Sequence, residues 1–152
     1  MSDWSKLIEY HEEPVTLHSG GRSHYLVRAD LIFEDEELRE SILRCWRYLL
    51  PSTGLDILAV PEGGIRWAEA YRDELVSQDI QVYRLDLDIV HLLSPSKSVP
   101  LVVLDDVTTT GASLLSVPAA THRLVVVDRR VPGQANFEKE VLSWARIPLP
   151  LI

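Results

Sequence analysis

The run VPLVVLDDVTTTGAS, from Val99 to Ser113, constrains the fold more than any other part of the chain. Its apolar first half is typical of a strand buried on both faces of a parallel sheet. We predict that this strand stops at two adjacent carboxylates, Asp105 and Asp106, after which five of the last seven residues are Thr, Gly or Ser. Open α/β sheets bind ligands beyond the carboxyl ends of their strands, so the run predicts a binding site there.

The residue types in this run indicate the ligand's chemistry. Thr108 to Gly111 lead into a short predicted helix over 111–116, whose unpaired N–H groups and dipole favour a phosphate. The hydroxyls add donors, and Gly111 lets the backbone approach closely. Carboxylates beside a phosphate would repel it unless they bind something else, and the vicinal hydroxyls of a sugar suit them. The pattern predicts a sugar phosphate, most economically a ribose 5-phosphate; the alternative is a polar turn in which Asp105 only caps a helix.

Strand-like and helix-like segments alternate through the rest of the chain. Short apolar runs at 55–60, 80–88 and 122–128 predict further strands, and the segment 61–78 predicts a glycine turn that opens an amphipathic helix. This alternation predicts an α/β fold with an open, mostly parallel sheet flanked by helices.

The flanking segments are predicted from capping and turn signals. We expect a first helix over about 2–13, two strands around the Ser-Gly-Gly turn within 14–33, and a helix that Asp35 caps and Pro51 ends. Near the end of the chain, the segment 133–144 predicts a helix, followed by a strand or coil.

Bulk properties narrow the class of protein. The 152 residues suit one domain spanning 1–152, with about 1–33 as a small N-terminal flap or hood. A net charge of −8 disfavours nucleic acid and anionic membranes as partners.

No segment reaches the length of a membrane span, and the N-terminus lacks a secretion signal, so we expect a soluble, cytoplasmic protein. Cys45 is expected to be a small core residue, and the spacing of the five histidines predicts no protein-ligated metal.

The segment LVVLDDVTTTGAS closely resembles the binding signature for phosphoribosyl pyrophosphate (PRPP) of the type I phosphoribosyltransferases. In that family the acid pair holds the ribose 2′ and 3′ hydroxyls, which by position assigns Asp105 and Asp106. The loop that follows grips the 5-phosphate. The resemblance places this role on Val107, Thr108, Thr109, Thr110, Gly111, Ala112 and Ser113.

Three further segments narrow the resemblance to orotate phosphoribosyltransferases: LHSGGRSHYLVRADLIF, AVPEGGIRWAEA and LVVVDRR. The resemblance implies a pyrophosphate turn and a base pocket, in which Arg129 holds a pyrimidine edge or carboxylate. From the residues alone, Tyr25 also fits an amphipathic strand, Arg129 a solvated strand end, and the glycine pair any tight turn. The implied residues are Glu62, Gly63 and Gly64 in the turn, and Ser19, Gly20, Ser23, Tyr25 and Arg129 in the pocket.

The resemblance also implies an activity. It is the transfer of ribose 5-phosphate from PRPP to a nitrogenous base, a pyrimidine such as orotate, with release of pyrophosphate, as in pyrimidine biosynthesis. Asp105, Asp106 and Arg84 would be the catalytic residues, Mg²⁺ would be bound through PRPP, and the protein would form a homodimer.

The chain departs from the family at the cations expected around the pyrophosphate. Leu85 and Asp88 stand at the lysine positions of the family's Arg-Lys-x-x-Lys segment, and Lys97 is the only lysine between Arg84 and Asp105. Gly21 replaces a common arginine of the base pocket, and His18 a common lysine. A second hypothesis is therefore a non-catalytic regulatory protein that binds PRPP or a nucleotide. A third is a transferase of this fold that acts on a purine.

Overall fold

The computed structural model describes residues 4–75, 78–85, 99–134 and 136–152. Its N-terminal part is a short helix α1 (Trp4–Leu7) followed by an antiparallel hairpin of β1 (Ile8–Thr16) and β2 (Arg22–Val27). The predicted hairpin is confirmed, and its turn includes Gly20 at φ +91°. The helix predicted up to residue 13 is wrong, because residues from Ile8 onward pair with β2, where cross-strand contacts such as Tyr10–Tyr25 favour the extended chain.

Two helices follow the hairpin, α2 (Ala29–Glu34) and α3 (Glu36–Leu49). The sequence placed α2 within the second strand, whereas that strand ends at Val27. The predicted cap of α3 is confirmed, since the Asp35 carboxylate accepts a hydrogen bond from the Leu38 N–H at 3.1 Å. Cys45 is only partly buried, and burial raises the pKa of its thiol.

The central sheet has five parallel strands in the order β4-β3-β5-β6-β7. This arrangement confirms the predicted open, mostly parallel α/β sheet flanked by helices. Its elements in chain order are β3 (Leu55–Ala59), α4 (Gly63–Glu74), β4 (Ile80–Arg84), β5 (Leu101–Thr108), α5 (Ala112–Leu115), β6 (His122–Asp128) and β7 (Leu142–Arg146).

Side chains pack on both faces of the sheet, as its near-continuous apolar strands predict. On one face, the fully buried rings of Trp46 in α3 and Trp67 in α4 lie 5.5 Å apart at an angle of 60°. The other face carries a smaller cluster that includes Leu58, Val103 and Leu114. The first of these layers packs α4 against the strands that carry the candidate site. No helix among the described residues is long and apolar enough to cross a membrane.

The predicted helix over 133–144 is wrong. The described residues of this segment form turns, with Gly133 at φ +93° and Asn136 at φ +72°, and then β7, which pairs with β6. The final residues 147–152 cross back to the hairpin, where the Ile152 N–H donates to the Arg22 carbonyl. The chain therefore ends against the N-terminal hairpin.

Candidate functional site

The acid pair lies in the last four residues of β5. The strand does not stop at Asp105, as the sequence predicted, but continues to Thr108, because Asp105 and Val107 pair with Val125 and Val127 of β6. Both carboxyl groups therefore stand on regular, hydrogen-bonded backbone at the carboxyl end of the central strand. A rigid strand positions functional groups more accurately than a loop does.

The two carboxyl groups are electrostatically coupled. Asp105 Oδ1 accepts a hydrogen bond from the Asp106 N–H, and Asp106 Oδ1 accepts one from the Val107 N–H, both at 2.7 Å. Burial, together with the neighbouring negative charge of Asp106, raises the pKa of Asp105 to about 9. Near neutral pH the ligand-free pair therefore retains a proton on Asp105. A protonated carboxyl can donate a hydrogen bond to a sugar oxygen as well as accept one.

The loop after β5 turns tightly around its own hydroxyl groups. The Thr108 hydroxyl accepts from the Gly111 N–H at 3.0 Å, and the Thr110 hydroxyl accepts from the Ala112 N–H at 3.2 Å. Gly111 has φ +84°, a backbone conformation that favours glycine. Hydroxyls and N–H groups are thereby concentrated around one turn, and such groups suit a phosphate.

A buried arginine packs against this loop. A β-carbon on Gly111 would lie 3.6 Å from Cδ and 3.7 Å from Nη1 of Arg130. Arg130 is fully buried and pairs through two nitrogens with the equally buried Asp128 carboxylate, with an Nη2–Oδ2 distance of 2.8 Å. The loop therefore packs against a buried ion pair. This role of Arg130 was not predicted from the sequence, although its position next to Arg129 at the end of β6 was a signal.

The turn between β3 and α4 lies against the acid pair. A β-carbon on Gly63 would overlap the Asp106 carboxylate, and one on Gly64 would lie 2.5 Å from the Leu104 carbonyl oxygen. The glycine pair is thus required by close packing, beyond the general demands of a tight turn. The preceding residue, Glu62, forms an ion pair with Arg84 of β4 at 2.9 Å, and this contact lowers the pKa of Glu62.

One cavity of about 520 Å³ joins the loop, the acid pair, the turn and the hairpin. Among the residues predicted for the site, those that line it are Ser19, Glu62, Gly63, Asp105, Asp106, Val107, Thr108, Thr109, Thr110, Gly111, Ala112, Ser113 and Arg129. The others, which are outside its lining, are Gly20, Ser23, Tyr25, Gly64 and Arg84. Asp88 and Lys97 lie outside the described residues.

Arg129 joins the cavity to the hairpin. Its side chain is buried and donates from Nη1 to the Tyr25 carbonyl at 3.0 Å and from Nη2 to the Ser23 hydroxyl at 2.9 Å. Ser23 in turn donates to the Pro150 carbonyl at 2.7 Å. Ser23 and Tyr25 thus hold Arg129 in place, and the Tyr25 ring packs edge-on against Tyr10.

The guanidinium of Arg129 keeps one buried donor without a partner. Its Nε has no hydrogen-bond acceptor among the described residues, and the described carboxylates form no ion pair with it. Burial lowers the pKa of Arg129, although an arginine side chain still carries its charge. Two of its nitrogens have acceptors in the hairpin, but a buried cation without a carboxylate partner is costly, so Arg129 is a candidate contact for an anionic ligand group.

Apolar residues form most of the remaining lining of the cavity. These residues were not assigned to the site from the sequence, although most adjoin segments that the predictions singled out; they are Leu17, Leu26, Val27, Ala29, Val60 and Pro61. His18, noted from the sequence only as a departure from the family, also lines the cavity. An apolar lining with a few polar or charged groups suits a planar ring that carries a polar edge.

The described residues hold no group of three His, Cys, Asp or Glu side chains arranged to bind a metal ion. Asp105 and Asp106 nevertheless present carboxylate oxygens, which Mg²⁺ prefers, beside the loop suited to phosphate. These residues are compatible with a magnesium ion that is held mainly by the oxygens of a bound ligand.

No protein-family model matches the chain, and no curated protein sequence does. Solved structures do match. The orotate phosphoribosyltransferase from Aeropyrum pernix has a TM-score of 0.61 and 22% identity, over 93% of this chain and 88% of that one. The orotate phosphoribosyltransferase from Francisella tularensis has a TM-score of 0.53 and 17% identity, over 93% and 78%. The HGPRT-ase from Leishmania tarentolae in complex with GMP has a TM-score of 0.51 and 15% identity, over 79% and 72%. The chain therefore has the type I phosphoribosyltransferase fold.

Proposed function

We propose that this protein binds PRPP and transfers its ribose 5-phosphate to a nitrogenous base, a pyrimidine such as orotate, with release of pyrophosphate. The observation that carries the proposal is the arrangement of one cavity, in which the Asp105–Asp106 pair lies between a hydroxyl-rich loop and the glycine turn after β3. Each of the three parts suits a different group of PRPP. The fold shared with phosphoribosyltransferases is consistent with this use.

The acid pair and the loop would bind different parts of ribose 5-phosphate. Asp105 and Asp106 would bind the two vicinal hydroxyls of the ribose, and residues 107–113 would bind the 5-phosphate through N–H and hydroxyl groups. The proton that Asp105 retains near neutral pH lowers the charge of the pair, so the site repels a phosphorylated ligand less.

The position of Arg129 favours a base that carries a carboxylate or carbonyl group at its edge. Arg129 is the one arginine that lines the cavity among the described residues, and its Nε lacks an acceptor. A carboxylated pyrimidine such as orotate would supply negative charge near this cation, while its ring would lie against the apolar wall. Ser19, at the same end of the cavity, would add a hydroxyl to the base pocket.

The reaction forms a bond between a ring nitrogen of the base and C1 of the ribose, and breaks the bond from C1 to a pyrophosphate oxygen. Positioning of the two reactants and stabilisation of the developing charges supply most of the catalysis in such a site. Asp105 and Asp106 would fix the ribose, and Arg84 would lie on the pyrophosphate side. Mg²⁺, when bound with PRPP, supplies positive charge that neutralises the departing pyrophosphate.

Because the sequence motifs resemble those of the family, we further propose that the protein acts in the cytoplasm as a homodimer.

A second candidate function is binding without turnover. The ion pair between Glu62 and Arg84 places a carboxylate at the turn proposed for the pyrophosphate, where a transferase benefits from cations. A regulatory protein that holds PRPP or a nucleotide would need the ribose and phosphate contacts but not the leaving-group contacts.

Pyrophosphate release separates the two functions. The purified protein would be incubated with PRPP, Mg²⁺ and each of a panel of bases that includes orotate, uracil and hypoxanthine, and the nucleotide product would be identified by mass. Release that depends on both Mg²⁺ and a pyrimidine supports the proposed transfer. Release with hypoxanthine alone would assign a purine substrate, and PRPP binding without any product would support the binding protein.

A further inference from the structure

The Glu62–Arg84 ion pair joins the turn before α4 to the edge strand β4. Glu62 directly precedes α4 and lines the cavity, whereas Arg84 ends β4, the neighbouring edge strand of the sheet. The Oε1–Nη2 distance is 2.9 Å, and the two side chains are 76% and 58% exposed. Arg84 lowers the pKa of Glu62, so this carboxylate stays ionised down to more acidic pH than usual.

The charges around the cavity are unevenly distributed. Its lining includes three carboxyl groups, Glu62, Asp105 and Asp106, of which Asp106 lies directly against the Gly63 backbone. The one lining guanidinium among the described residues, Arg129, is held by the hairpin. Two carboxyl groups, those of Glu62 and Asp106, therefore adjoin the turn proposed for the pyrophosphate. Arg84 is ion-paired with Glu62 at this turn, so the charge of Glu62 partly offsets that of Arg84.

We infer that Glu62 is a specificity-determining residue that weakens binding of the pyrophosphate group. It offsets the charge of Arg84 and adds a negative charge at the turn proposed for the pyrophosphate. The site thereby holds PRPP less tightly, relative to ribose 5-phosphate, than the same fold would with a neutral residue at position 62. The inference rests on the proposed ribose 5-phosphate site, because only a ligand anchored there would bring its pyrophosphate to this turn.

The size of the effect follows from the exposure of the pair. Exposed ion pairs contribute little, so we expect a change of at most about fivefold in affinity. The effect should also weaken as salt is added, because solvent-exposed charges are screened.

Calorimetric titration of the Glu62→Gln variant with PRPP and with ribose 5-phosphate, both in Mg²⁺, tests the inference. We expect the variant to bind PRPP about three- to fivefold more tightly than the wild type, with ribose 5-phosphate affinity changed by less than about twofold. Glu69→Gln is the matched control. Glu69 lies on α4, the helix that Glu62 precedes, and is also exposed, 3.8 Å from an arginine, but it does not line the cavity. It should change neither affinity.

The outcomes separate this inference from the proposed function. An unchanged or lower ratio of PRPP to ribose 5-phosphate affinity in Glu62→Gln, with ribose 5-phosphate still bound, would overturn the role of Glu62 alone. Failure of the wild type to bind either ligand would overturn the proposed function instead. Arg84→Gln gives a second check, because loss of this cation should expose the Glu62 charge and lower PRPP affinity more than ribose 5-phosphate affinity.

Discussion

Gly63 packs so closely against Asp106 that a β-carbon at position 63 would overlap the Asp106 carboxylate. The turn after β3 and the acid pair on β5 are therefore one structural unit, although 43 positions separate the two residues in the sequence. A change at either position must move the other. This contact links the part of the cavity that we assign to the ribose with the part that we assign to the pyrophosphate.

Gly63→Ala should disrupt ligand binding by displacing the Asp106 carboxylate. Overpacking of this kind costs about 1–3 kcal/mol of folding free energy, and the moved carboxylate would lose its alignment with the ribose hydroxyls. Ribose 5-phosphate affinity, measured by calorimetry, should fall at least about tenfold. Gly21→Ala is the control, because a β-carbon there meets only Leu151 and Ser19 side-chain atoms at 3.4 Å or more. Equal binding by both variants would refute the coupling.

Asp105 should make the ligand-free protein less stable as pH rises. Its pKa is raised from 3.8 to about 9 in the folded state, so between these values the folded protein binds a proton that the unfolded chain has released. This contribution to stability is fully present below the unfolded pKa and is lost as pH rises toward about 9. Asp105→Asn removes the titration.

Thermal melts between about pH 5 and about pH 9 measure this effect. The Tm of Asp105→Asn minus that of the wild type should increase steadily with pH. Asp73→Asn serves as the control, because Asp73 is 71% exposed on α4, and its difference from the wild type should stay flat. A constant difference for Asp105→Asn would show that the acid pair is not coupled in the way described.

Arg129→Gln should separate base binding from ribose phosphate binding. The change removes the buried cation and its hydrogen bonds to Tyr25 and Ser23, while the loop and the acid pair remain. We expect loss of orotate binding, measured in the presence of ribose 5-phosphate, with ribose 5-phosphate affinity nearly unchanged.

Ser23→Ala provides the comparison for Arg129→Gln. It keeps the cation and removes only the hydroxyl that accepts from Arg129 and donates to Pro150. This variant should lose about 1–3 kcal/mol of stability, because it leaves buried polar groups unpaired, yet retain measurable orotate binding. Equal loss of orotate binding in both variants would mean that the hairpin contact, and not the charge, matters.

Asp35→Ala should destabilise the fold without affecting the site. The Asp35 side chain caps α3 at the Leu38 N–H, and its loss typically costs about 0.5–2 kcal/mol. Denaturant unfolding should show this loss, while ribose 5-phosphate affinity stays at the wild-type value. A large loss of affinity would indicate that α3 influences the cavity directly.

The sequence predicted most of the central fold because its signals are local. β3, β5 and β6 are apolar runs bounded by turn residues, and α3 has a cap and a regular apolar face. The segments 8–13 and 142–144 were assigned to helices because their composition permits a helical pattern. Both lie in strands, since pairing with a neighbouring strand overrides weak local propensity.

The site, like the fold, has one part that local sequence signals predict and another part that they do not. The acid pair and the loop are contiguous in sequence, so one motif predicts both. The contacts of Arg129 with Ser23 and Tyr25 join residues more than 100 positions apart, and the support of Gly111 by Arg130 depends on how β6 lies beside β5. No local pattern shows which side of Arg129 faces the cavity.

The most direct test of the ribose 5-phosphate site is the affinity for ribose 5-phosphate of the double variant Asp105→Asn and Asp106→Asn. We predict that it folds with a Tm close to that of the wild type near neutral pH, because Asp105 already carries no charge there and asparagine has nearly the same size as aspartate. We predict that calorimetry shows a loss of binding on the order of 100-fold, since hydrogen bonds to charged groups contribute about 1.5–3 kcal/mol each. An unchanged affinity in the folded double variant would contradict the assignment of the acid pair to the ribose.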